Sequence, residues 1–287
     1  MEAMMASART PVRERESLDW LLLLSVAALA FNTHGETIPL LIFLGIAAIG
    51  YLRPAVLRAW PLWIAIALTQ GTLQLLWWEG IDDHVIVGTY WALAIGLGLA
   101  VGDPTRVMRT SGRWMIGLIF LFAAGWKIAT ADFRSGDFFS LYLLADPRFS
   151  LIADVVGGVG PEVFQHNRDL IATLYSSTMD VSQVTLELGG PVRGLAMVMT
   201  YWGIFIEAAL AITWLTPLRG RARAARHVAL LLFCVTTYGL VAITGFAGIL
   251  LAMAASVAEP ESVWRRAHVA AFALIALWTP IWRWLFL

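Results

Sequence analysis

Lys127 is the only lysine among the 20 Lys and Arg residues, and it lies inside the apolar run WMIGLIFLFAAGWKIATADFRSGDFF of residues 114–139. A basic side chain within a membrane span costs about 2.5–3.5 kcal/mol on insertion scales, which makes it a functional position by default. Two roles suit it. Near the outer end of its span, its four-carbon stem can snorkel to the interface. Alternatively, partial desolvation makes the neutral amine accessible, and the residue acts as a base. Glu207, in the run YWGIFIEAALAITWL, lies closer to a span centre and needs either a donor or a proton. Tyr238, Thr236 and Thr237 on the next span are placed to serve it, and hydrogen bonding between spans is its expected role.

A second group is polar throughout. His34, Glu36, Glu79, Asp82, Asp83 and His84 gather at one boundary if the spans alternate in direction. Carboxylates with imidazoles hold a divalent cation; a solvated rim is the plainer alternative, because only Asp82, Asp83 and His84 are adjacent. No GxGxxG, GxxxxGK[ST], CxxC or HExxH pattern occurs, so dinucleotide, P-loop and thiolate or zincin sites have no support. The single cysteine, Cys234, sits in a long apolar run and reads as a small buried hydrophobe.

These residues must be positioned by helices in lipid. With 59% hydrophobic and 14% charged residues, and 14 Trp among 287 residues, the chain exceeds what one soluble core can hide. Windows of about 20 residues place about eight spans at 18–33, 37–52, 60–78, 84–101, 114–131, 194–216, 227–255 and 267–286. The expected class is all-α: a polytopic integral membrane bundle. The seventh span is long and carries Gly239, Gly245 and Gly248, so tilting or breaking is expected there. Arginine sets the orientation. Twelve arginines fall in the arm before the first span and in the loops 53–58, 102–113 and 217–226, which are placed on the cytoplasmic side; the opposite short loops hold none. Arg265 and Arg266 violate this pattern. Both termini are therefore expected inside, and a bacterial inner membrane is the expected location.

Residues 1–17 read as a cytoplasmic arm and 18–287 as one transmembrane domain. Ala28-Leu29-Ala30 resembles a cleavage site, but three Arg against three Glu and one Asp before it make a poor signal-peptide n-region, so an uncleaved anchor is expected. The connection 132–193 falls on the outer face. From Pro161 it carries Val163, Phe164, Leu170, Ile171, Leu174 and Tyr175 on one stripe and Gln165, His166, Arg168 and Asp169 on the other, the pattern of an interfacial helix. Zero net charge gives no reason to expect nucleic acid.

Three segments carry a resemblance. Ala124-Gly125-Trp126-Lys127, followed by Asp132, Phe133 and Gly136, resembles the vitamin K-dependent gamma-carboxylase family and its bacterial relatives, the HTTM membrane domain. Trp202-Gly203-Ile204-Phe205-Ile206-Glu207 is similar to the family's Gly-rich span with an acidic residue. Cys234 to Phe246, continuing AGILLA, matches a family span that opens with histidine. The resemblance implies an HTTM-like bundle and places Lys127 on the base that deprotonates vitamin K hydroquinone. It places Cys234 where a histidine is expected, and a thiol does not replace imidazole as donor and acceptor. No counterpart of the carboxylases' luminal peptide-binding region is evident, so carboxylation of glutamyl peptides is not expected. The function read from the sequence is a non-catalytic subunit or assembly factor of a larger membrane complex, with lipids and other integral membrane proteins as partners. The alternative is an enzyme using Lys127 as base, with Glu207, Tyr238 and Cys234 nearby, on a quinol or other lipid-soluble substrate; a quinone or bound lipid is the cofactor this would imply.

Overall fold

The computed structural model describes residues 2–33, 37–76, 83–176, 186, 191–239, 241 and 243–286. Among these the chain is all helical. The amino-terminal part comprises α1 (Glu2–Phe31), α2 (Thr37–Leu52), α3 (Pro54–Leu57), α4 (Trp60–Leu76), α5 (Asp83–Ala100) and α6 (Pro104–Ala129). Four short helices follow: α7 (Ala131–Ser135), α8 (Asp137–Ala145), α9 (Ser150–Val155) and α10 (Pro161–Ser176). The last four are α11 (Val192–Leu215), α12 (Arg223–Tyr238), α13 (Thr244–Val257) and α14 (Val263–Phe286). Of these, α6 and α11 are long and apolar enough to cross a membrane; α2, Val85–Ala100 of α5 and α13 are apolar but shorter.

Local chemistry explains the main boundaries. Asp103 caps α6, accepting from Arg106 N at 3.3 Å, and Pro104 follows with its missing N–H where no partner is needed. The expected loop 102–113 is thus mostly helix, and so is most of the expected amino-terminal arm, which continues into α1. Between α7 and α8 the chain turns at Gly136, whose φ of 80° suits glycine.

The core is built around α13, in which every residue from Ala247 to Ser256 is buried. A helix apolar on all sides belongs inside, and α13 is enclosed by α1, α5, α6 and α14. Its small residues permit close approach. Gly112 of α6 comes so near that a Cβ there would lie 3.1 Å from Met253 O. Buried tryptophans place their indole N–H on oxygen: Trp63 on Leu57 O at 2.7 Å, Trp91 on Ser25 Oγ at 3.1 Å and Trp214 on Arg226 O at 3.2 Å.

The expected seventh span breaks after Tyr238, at Gly239. Residues 227–255 do not form one helix but a hairpin, α12 (ending at Tyr238) out and α13 (starting at Thr244) back. At one end Arg223 faces Glu259 at 3.8 Å; at the other Gly245 meets Phe31 O, with 2.8 Å to an added Cβ. The carboxyl end of α13 therefore returns to the end of the bundle where the arginine-rich loops lie. Arg265 lies there too, donating to Ala255 O at 3.0 Å, to Ala258 O at 2.8 Å and to Ser17 Oγ, so it does not violate the arginine pattern. Helix α14 then runs away from that end, with Phe272 against Phe31 at 5.9 Å. With this extra turn the start of α1 and the end of α14 lie toward opposite ends of the bundle.

Within the connection 132–193 an amphipathic helix from Pro161 is expected. In the fold it contains α7 to α10, with a hydrophobic cluster of Leu143, Leu144, Phe149, Val159 and Phe164 closed by Val192 and Ala196 of α11. The stripe on α10 faces inward at Val163 and Phe164, and Asn167 joins it fully buried; Gln165, His166, Arg168 and Asp169 point out.

Candidate functional site

Helices α6 and α11 lie side by side in opposite directions. Near the arginine end, Arg113 of α6 donates to Trp214 O at 3.0 Å and Leu215 O at 2.9 Å. Further along, Lys127 Nζ lies 2.8 Å from Glu207 Oε1 and 2.8 Å from Oε2. Side chains on a helix tilt toward its amino terminus. In an antiparallel pair the two side chains therefore lean toward each other. The same tilt carries the Lys127 side chain toward Glu207 rather than toward the nearer end of α6, the direction snorkelling would take.

The pair is largely screened, with side-chain exposures of 16% for Lys127 and 10% for Glu207. Phe133, on α7, closes over it with its ring centroid 5.3 Å from Nζ. Phe133 in turn stacks on Phe138 at 4.0 Å, and Phe138 continues to Tyr142 at 4.6 Å. The segment after Lys127 thus folds back as an aromatic cover on the ion pair.

The remaining expected partners are placed differently. Glu207 is held by Lys127, whereas Thr236 accepts from Trp202 Nε1 at 3.2 Å and donates to Leu232 O at 2.9 Å. Cys234 and Tyr238 are each 2% exposed and sit in the main core, where Phe233 meets Tyr238 at 5.5 Å and Phe120 at 4.8 Å. Cys234 is a free thiol packed as a small apolar group. His34, Glu36, Glu79 and Asp82, with the side chains of Asp83 and His84, lie outside the described residues. Among the described residues no group of three or more His, Cys, Asp or Glu is arranged to hold a metal.

Two features were missed in the sequence. One is the pairing of Lys127 with Glu207, although opposite charges in two consecutive long spans are themselves a signal. The other is a buried histidine pair: His227 Nδ1 lies 2.9 Å from His268 Nε2, with His227 stacked on Trp264 at 5.4 Å. Its residues are 41 apart in sequence, and only the hairpin brings α12 beside α14.

Chemically, the Lys127 arrangement is an ion pair with both carboxylate oxygens engaged. It ties α6 to α11. No family model, curated protein or solved structure matches the chain.

Proposed function

We propose that this chain is an integral membrane protein with an HTTM-like helical bundle, acting as a non-catalytic subunit or assembly factor of a larger membrane complex. The observation that carries the non-catalytic reading is the ion pair, with both oxygens of Glu207 on Lys127 Nζ at 2.8 Å. A membrane setting is supported by large apolar side chains left exposed on many helices, among them Trp20, Leu41, Leu75, Phe122, Phe205 and Leu274. Contiguous exposed apolar surface marks contact with lipid or with other proteins. Nine helices take part in this reading, α1, α2, α4, α5, α6 and α11 to α14. Positive loops orient to the cytoplasm, so the arginine end is placed there and the carboxyl terminus outside. Helix α2 packs mainly on α1 and exposes Ile38, Leu41, Ile42, Leu44 and Ile49, a surface available to a membrane partner.

The test compares the parent, Lys127→Arg and Lys127→Met after mild-detergent purification, reading folded yield, co-eluting proteins and the host's quinone profile. An arginine keeps the charge and reaches Glu207, but its guanidinium does not act as a base. The expected result is parent-like yield and partners for the arginine form, loss of both for the methionine form, and the same quinone profile in all three. A changed quinone profile in a well-folded arginine form that keeps its partners would instead establish the enzymatic alternative.

A further inference from the structure

At the arginine end a cavity of about 940 Å³ opens between the start of α6, the 217–222 segment, the start of α12 and the α13–α14 turn. Six arginines line it: Arg109, Arg113, Arg219, Arg221, Arg223 and Arg226. Against them stands one lining carboxylate, Glu259, and its contact with Arg223 is long at 3.8 Å between exposed side chains. Arg113 is committed to the terminal carbonyls of α11. No ion pair holds Arg109, Arg219 or Arg221 among the described residues.

Arg226 provides the second observation. It is 6% exposed, its Nη2 reaches Thr216 O only at 3.5 Å, and its Nε has no hydrogen-bond partner. A buried guanidinium with an unsatisfied donor is costly unless an anion completes it. Capping helix ends does not require six cations: Arg113, with a long contact from Arg226, serves the end of α11, and Arg265, outside this group, serves that of α13. Trp114 and Trp264 stand in the wall, giving the cavity aromatic as well as cationic sides.

We propose that this cavity is a binding site for a phosphate-bearing polyanion, either the headgroup of an anionic lipid or a soluble phosphate compound. Planar guanidinium groups take phosphate oxygens two at a time, and six of them line this one cavity. Basic pockets at helix ends are a known form of headgroup recognition in membrane bundles. The inference does not depend on the reading of Lys127, which lies at the other end of α6.

The test uses the full chain in two settings. In neutral-detergent micelles, inorganic pyrophosphate is titrated by calorimetry; in nanodiscs, thermal unfolding is compared between pure phosphatidylcholine and an equal mixture with phosphatidylglycerol. Arg226→Gln removes the buried donor, and Arg221→Gln/Arg223→Gln removes two exposed charges without disturbing the core; Arg134→Gln, outside the cavity, is the control. Saturable pyrophosphate binding, weakened about tenfold or more in the cavity variants and unchanged in the control, identifies a soluble phosphate compound. Stabilisation by phosphatidylglycerol alone, lost in the same variants, identifies a lipid. No response to either probe, or a response equal in the double variant and the parent, overturns the proposal. Should Arg226→Gln fail to fold, the exposed double variant decides alone.

Discussion

Lys127 shows how one side chain's surroundings decide its chemistry. Its position in an apolar span fits both a base and an anchor, and the carboxylate 2.8 Å across from it makes it a link between α6 and α11. Removing one member of a screened ion pair leaves an uncompensated charge, at a cost of about 3–5 kcal/mol. Replacing both members by apolar groups of similar volume is far less costly. Lys127→Met and Glu207→Leu should therefore each lower stability by that order, while the double variant recovers most of the loss. Denaturant unfolding in micelles measures this, and additive losses in the double variant would show that the two residues do not act as a pair.

At the scale of elements, close approach matters more than hydrophobicity. Helix α6 reaches α13 through Gly112, whereas Gly136 turns the chain from α7 to α8 within the aromatic cover, so the two glycines serve different needs. An alanine at 112 meets Met253 O, a backbone atom that cannot swing aside, and should cost about 1–3 kcal/mol. An alanine at 136 must hold a left-handed backbone, at about 1–2 kcal/mol, and also displaces Met197 Sδ, 2.7 Å from its Cβ. Unfolding midpoints of Gly112→Ala and Gly136→Ala check both. If Gly136→Ala matched the parent, the α7–α8 turn would not need its positive φ.

For the whole molecule, the hairpin of α12 and α13 decides which segments share a face. In the eight-span reading of the sequence, Ala222 and Glu261 fall on opposite sides; in the fold they fall on the same side, with Arg223 facing Glu259 between them. Single cysteines at Ala222 and Glu261, placed in a Cys234→Ala background, should both react with a membrane-impermeant maleimide only after the inner face is opened. A cysteine at Asp154, which is exposed in the outer connection, should react in intact cells. Reaction of the Glu261 position from outside, with Ala222 protected, would restore the single long span.

The sequence by itself determined the all-helical class, the bounds of α2 and nearly those of α4, α5 and α11, because long apolar runs between turn residues leave few other ways to satisfy the backbone. It also determined the amphipathic helix from Pro161, whose two faces are written at helical spacing, and it singled out Lys127 and Glu207 one at a time. The tertiary structure alone decided that these two meet. Residues 80 apart in the chain have no local signal of contact, and their meeting depends on the antiparallel packing and tilt of α6 and α11. It likewise decided that residues 227–255 fold back on themselves. Their apolar length suits one long span as well as two short ones. What selects two is the burial of an all-apolar α13 among α1, α5, α6 and α14, a gain that exists only once those helices are assembled.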